Sequence, residues 1–116
     1  MAIRGAHALL YTPEAEAARA VLRDLLGFAH VDAGDGWLIF KLPPSEVGVH
    51  PSAPGDTHHE LSLVCDDIHA TVAELRAKGL ELRGEPVDQG FGITIPLVLP
   101  GGLEVLLYEA RHPTAF

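Results

Sequence analysis

His59-Glu60-Leu61-Ser62-Leu63-Val64-Cys65-Asp66-Asp67-Ile68 is the stretch on which the fold turns. Successive residues of a strand point to opposite faces, so Leu61, Leu63 and Cys65 make one apolar row and Glu60, Ser62 and Val64 the other. The strand runs directly into a helix. Asp66 or Asp67 supplies the side-chain acceptor that such a start needs, and Ile68, Val72 and Leu75 recur at helical spacing. Gly79 ends the helix with the residue type that tolerates a left-handed backbone. Towards the C-terminus, residues 80–82 read as a short strand and 88–92 as a turn-rich stretch. Residues 93–99 form a strand, Pro100-Gly101-Gly102 a tight turn, and 103–108 a last strand. The order is β-α-β-β-β.

Towards the N-terminus the same order is met again. Residues 3–11 read as a strand, and Thr12-Pro13 as an N-cap followed by proline at the first helical position. Ala18, Val21, Leu22, Leu25 and Leu26 are spaced as one helical face, which Gly27 ends. Residues 30–33 and 37–42 flank Gly34-Asp35-Gly36, a hairpin signal. Pro43-Pro44 breaks the chain, 47–50 is a fourth strand, and 51–56 is a proline- and glycine-containing boundary. The sequence therefore predicts a single α+β domain over 1–116. It consists of two β-α-β-β-β modules, about 1–56 and about 57–116.

Composition narrows the function classes. A chain of 116 residues with 47% hydrophobic and 21% charged residues can bury its own core. The formal net charge of −8 repels phosphate backbones and anionic lipid, so neither nucleic acid nor a membrane surface is expected as a partner. One cysteine, Cys65, leaves no disulfide framework. The first ten residues, interrupted by Arg4 and His7, read as neither signal peptide nor membrane span, and the expected location is cytoplasmic.

Two such modules in a short chain resemble the vicinal-oxygen-chelate superfamily of glyoxalases, bleomycin-resistance proteins and ring-cleaving dioxygenases. The resemblance covers nearly the whole chain. It is carried by Ala6-His7-Ala8-Leu9-Leu10-Tyr11, by residues 59–68, by Leu99-Pro100-Gly101-Gly102, and by Leu107-Tyr108-Glu109-Ala110-Arg111-His112-Pro113. It implies mixed sheets curling round a central cavity, a glyoxalase-like fold. It further implies a metal ligand on the first and last strand of each module in the metal-dependent members, and homodimers that sometimes exchange modules.

Strand parity and this resemblance together select candidate residues. With Leu61, Leu63 and Cys65 against the helices, Glu60 and Ser62 face the cavity. Counting back from the two helix starts matches His7 to Glu60, with Tyr11 on the same side. His7 and Glu60 are the metal candidates, with His50 on the fourth strand as a third. Such a set suits iron, manganese, nickel or zinc. On the last strand the family's glutamate position falls on Leu106, which cannot coordinate a metal. Glu104 and Tyr108 flank it on the same face and are the catalytic candidates, Glu104 as a base. Placing Leu38, Phe40 and Leu42 against the helices turns Trp37 into the cavity as a stacking surface; the reverse placement makes Trp37 core. His30, His58, His59, His69 and His112 read as surface histidines, and no dedicated cofactor pocket is legible.

Two readings of function follow. In the first, a divalent metal polarises two substrate oxygens for lyase, isomerase or dioxygenase chemistry. In the second, the cavity binds a small molecule or antibiotic without metal, its acidic walls suiting a cation that stacks on Trp37 or Tyr108. Substrate identity is not written in the sequence.

Overall fold

The computed structural model describes residues 7–46, 48, 49 and 51–116. Helix α1 (Ala15–Ala20) continues as a wider π-helical turn over Val21–Leu25, and strands β1 (His30–Asp32) and β2 (Leu38–Phe40) follow. The second half holds β3 (Ser62–Val64), α2 (Ile68–Ala77), β4 (Glu81–Leu82), β5 (Val87–Asp88), β6 (Gly92–Leu99) and β7 (Leu103–Ala110). No helix among the described residues is long and apolar enough to cross a membrane.

The second half builds one mixed sheet in the order β3-β7-β6-β4, with β5 also on β6. β3 and β7 are parallel and the other pairs antiparallel. Because β4 and β5 pair with successive parts of β6, they act as one interrupted strand. The second module is thus a complete β-α-β-β-β unit, its first strand beside its last. The architecture is the mixed α+β, glyoxalase-like one.

Local chemistry explains its elements. Asp67 caps α2 by accepting a hydrogen bond from the Ala70 N–H at 3.1 Å, a contribution of about 1 kcal/mol. Past the last turn, Gly79 has φ +89°, and the Leu80 N–H donates to the Leu75 carbonyl while Gly79 donates to Arg76. That is a Schellman cap, and its apolar contact is supplied by buried Leu75 and Leu80. The β6–β7 hairpin closes through the Gly102 N–H donating to the Leu99 carbonyl. Proline at its second position and glycine with φ +89° at its third give type II turn chemistry.

The core lies between α2 and one sheet face. Ile68, Val72 and Leu75 meet Ile95, Leu97 and Leu99 of β6 and Val105 and Leu107 of β7. Ile68, Ile95 and Leu97 are fully buried, each worth roughly 1.5–3 kcal/mol relative to exposure. Leu61, Leu63 and Cys65 pack against this cluster, the face that parity assigns to them.

The first module departs from its sequence reading. Residues 7–11 form no strand; 3–6 lie outside the described residues, as do Val47 and His50, and residues 48 and 49 are not in a strand. Thr12 does not cap the helix. Its hydroxyl donates instead to the Pro100 carbonyl at 2.7 Å, and α1 begins at Ala15 with no side-chain cap. The expected hairpin is present but short, pairing His30 with Phe40 and Asp32 with Leu38. Asp35 and Gly36, at φ +50° and +82°, make its turn. Val21, Leu25 and Leu26 lie against the core of the second module.

Candidate functional site

With Leu103, Val105 and Leu107 on the core side, β7 presents Glu104, Leu106 and Tyr108 to the opposite, open face. The register sets Ser62 and Pro96 on either side of Leu106, Val64 and Thr94 on either side of Tyr108, and Val98 beside Glu104. Glu60 continues the β3 row on this face. The arrangement is an apolar floor, Leu106 and Pro96, with acids at one end and a phenol at the other.

At the acidic end lies an open groove of about 450 Å³, lined by Leu9, Leu10, Tyr11, His59, Glu60, Leu61 and residues 103–106. The N-terminal segment forms one wall and the β3 and β7 strand starts the other. A second hollow of about 440 Å³ lies between Val21 and Leu25 and the β4–β6 edge, with Glu14, Glu81 and Arg83 around it.

Of the residues singled out by sequence, Tyr11, Glu60, Glu104 and Leu106 meet in the groove. His7 is exposed and does not line it. His50 lies outside the described residues. Ser62 sits on the floor beside Leu106, half-buried. Trp37 lines neither hollow; it is 60% exposed, with the Arg19 guanidinium 4.8 Å above its ring. Its exposure speaks against the core placement of Trp37.

The groove's carboxylates already have partners. Glu104 is ion-paired with Arg83, which follows β4 and reaches back across the sheet. Glu60 lies 3.6 Å from His58 Nε2, and the other nitrogen of that ring is 2.8 Å from Asp56. The Asp56 carboxylate, with a smaller contribution from Glu60, raises the His58 imidazole above its usual value. No group of three or more His, Cys, Asp or Glu side chains disposed to hold a metal occurs among the described residues. Cys65 is half-buried and desolvation raises its thiol, the reverse of nucleophile activation.

At the other end, the Tyr108 hydroxyl lies 2.5 Å from His112 Nε2, with Phe91 and His112 rings packed around the phenol. Burial first, and the Glu46 carboxylate second, push the Tyr108 phenol up. The sequence did not single out Arg83, and His112 read only as a surface histidine. Arg83 carries no local signal, since its partner is twenty-one residues away; His112 follows Tyr108 by four residues past the strand end, a spacing that strand parity does not use.

The family model of the Glyoxalase/Bleomycin resistance protein/Dioxygenase superfamily matches residues 4–95. No curated protein sequence matches the chain. Among solved structures, the chain is similar to TnmS3, an antibiotic binding protein from Streptomyces sp. CB03234, at TM-score 0.69 and 22% identity over 96% of this chain and 99% of that one. A superfamily member from Sphaerobacter thermophilus gives 0.65 at 20% identity, covering 92% and 98%. A lactoylglutathione lyase from Agrobacterium tumefaciens gives 0.61 at 17% identity, covering 86% and 88%. At these identities the likeness concerns the fold.

Proposed function

The chain belongs to the Glyoxalase/Bleomycin resistance protein/Dioxygenase superfamily, and from that premise we propose that it binds a small, largely apolar molecule on the open face of its second module, without a metal. The observation that carries this reading is Leu106. It occupies the centre of the floor, between Ser62 and Pro96, where a metal-dependent site would need a donor. The side chains around it do not fit a metal: Glu104 is engaged by Arg83, Glu60 by His58, and exposed His7 does not line the groove. Leu9, Leu10, Tyr11, Leu61 and Leu103 give the groove walls that suit an apolar ligand body. The fold-level likeness to an antibiotic binding protein is compatible with sequestration as the biological role.

The reading extends to assembly. The radius of gyration is 15.2 Å, against about 13 Å for a compact domain of this size. Val31, Trp37 and Ile39 of the hairpin are exposed. A second copy covering these surfaces, in a homodimer held in a reducing cytoplasm, completes the proposal; light scattering after size exclusion returns a dimer mass if it holds.

Equilibrium dialysis against iron(II), manganese, nickel and zinc, followed by elemental analysis, tests the central claim. The expected result is far below one metal per chain, while an apolar fluorescent probe binds and Leu106→Asp or Tyr11→Ala weakens it. Near-stoichiometric metal, lost on His7→Ala or Glu60→Ala, would overturn the claim and restore lyase, isomerase or dioxygenase chemistry with Glu104 and Tyr108 as its acid–base pair.

A further inference from the structure

The phenol end of the open face has hydrogen-bonding chemistry that the fold does not use up. His112 Nδ1 lies 2.9 Å from the Pro113 carbonyl, which can only accept, so in the neutral imidazole Nδ1 carries the ring proton and Nε2 a lone pair. Nε2 therefore accepts the hydroxyl proton of Tyr108 at 2.5 Å. The Phe91 carbonyl, 3.4 Å from the same hydroxyl, is a second acceptor. One proton faces two acceptors, and among the described residues no donor is directed at the Tyr108 oxygen.

This constellation is built rather than incidental. Gly92 has no side chain because a Cβ there would drive into the Tyr108 ring. The Arg111 N–H holds the Phe91 carbonyl at 3.0 Å, and Arg111 is ion-paired with Asp88, which staples the turn before β6 to the end of β7. Phe91 and Tyr108 rings lie 6.0 Å apart, tilted by 49°, with Phe91 59% exposed. Arg111 and Asp88 cancel in charge, whereas Glu46, which accepts from the Ala115 N–H at 3.2 Å, adds a negative charge with no ion-pair partner among the described residues.

We propose that Tyr108, Phe91 and His112 form a subsite for a ligand's ammonium group, with Glu46 setting the sign of the local field. The proposal rests on the binding reading above and names the ligand class. An ammonium offers the missing donors: one N–H to the phenol oxygen, one to the free lone pair of the Phe91 carbonyl, and its charge to the two aromatic faces. His112 takes the phenol proton and so leaves the oxygen lone pairs turned outward. Tyr108 is two residues along β7 from Leu106, about 7 Å at the rise of a strand. The ligand is then an apolar body over Leu106 and Pro96 carrying an amine at that reach.

A matched pair of probes tests this: dansylcadaverine, which ends in an ammonium, and N-pentyl dansylamide, the same chain without it. Fluorescence anisotropy of the full-length protein is expected to show the ammonium probe bound about tenfold more tightly. Tyr108→Phe, which removes one oxygen, brings the ratio near unity and leaves the neutral probe within about twofold. Glu46→Gln lowers the ratio about threefold, as added salt does. Equal affinity for the two probes in the unaltered protein, or a ratio unchanged by Tyr108→Phe in a variant of unaltered melting temperature, overturns the subsite while the neutral probe's binding keeps the parent reading. Failure of both probes to bind overturns the subsite and the parent reading together.

Discussion

The tie between the N-terminal segment and the β6–β7 turn can be broken at a single atom. Gly101 has φ +89°, and an added Cβ would meet the Thr12 hydroxyl head-on, with Thr12 Cβ and Pro13 Cδ each at 3.3 Å. Gly101→Ala therefore has two penalties. The left-handed backbone costs roughly 1–2 kcal/mol for a residue with a Cβ, and the collision adds about 1–3 kcal/mol unless Thr12 moves away. If it moves, its 2.7 Å hydrogen bond to the Pro100 carbonyl is lost, about 0.5–1.5 kcal/mol. Gly101→Ala is thus expected to destabilise by about 2–4 kcal/mol in all. Thr12→Ala alone costs the bond to Pro100 and a longer one accepted from the Glu14 N–H, and it removes the atom that the new methyl would strike. The double variant should then be more stable than the sum of the two by at least about 1 kcal/mol. Urea unfolding followed by circular dichroism measures all four proteins; 3 kcal/mol moves the midpoint by about 1–3 M. Because Leu9, Leu10 and Tyr11 wall the groove, Gly101→Ala should also weaken an apolar probe. Additivity within about 0.5 kcal/mol would refute the contact between these two segments.

Three further outcomes follow from the same structure. Leu97→Ala empties a fully buried position and should lower stability by about 2–5 kcal/mol, read as a lower urea midpoint at constant slope. The Tyr108 phenol, raised by burial and by Glu46, should ionise above the ordinary range near pH 10. Its contribution to stability is complete below that range and is lost as pH rises through the folded value. Ultraviolet titration of the phenolate band should lose its highest-pH step in Tyr108→Phe, and an unchanged curve would contradict the assignment. His58 is raised chiefly by Asp56, so its pairing is fully present below about pH 6.5 and fades as pH rises through the folded value. Asp56→Asn should move the imidazole transition seen by proton NMR to lower pH, and no movement would show that the pair does not form in solution.

What the sequence disclosed is what neighbouring residues decide. The row Leu61, Leu63, Cys65 faces the core because alternation is a property of the strand itself. Asp67 and Gly79 mark the ends of α2 because capping is settled within a few residues. Pro100-Gly101-Gly102 is a turn for the same reason. The first module was less legible because its elements depend on partners distant in the chain. Thr12 has the chemistry of an N-cap, yet a carbonyl eighty-eight residues away takes its hydroxyl. Trp37 had an even choice of faces, and it stands exposed with the Arg19 guanidinium over its ring. Parity put Glu104, Leu106 and Tyr108 on one face of β7 and Glu60 on the matching row, but it did not name the residues that engage them. Arg83 and His112 meet Glu104 and Tyr108 from beyond the ends of their strands, where alternation no longer predicts direction.

Those engagements give the leucine at 106 its meaning. A third acid at that position would stand between Glu104 and Tyr108, with Glu60 on the neighbouring row, and only a cation could hold such a group together. With leucine there, Arg83 balances Glu104, and Glu60 shares the His58 ring with Asp56. Both pairs are largely exposed and screened by solvent, so they do not hold the fold together. Their effect is on the face they line. Arg83 offsets the Glu104 charge and leaves Leu106 and Pro96 as an apolar floor, at whose far end the Tyr108 oxygen and the Phe91 carbonyl are acceptors. The open face is therefore polarised along β7, apolar in the middle and donor-seeking at the Tyr108 end. Under the proposed function, that asymmetry would orient a bound molecule, separating the contacts that hold its body from those that recognise its charge.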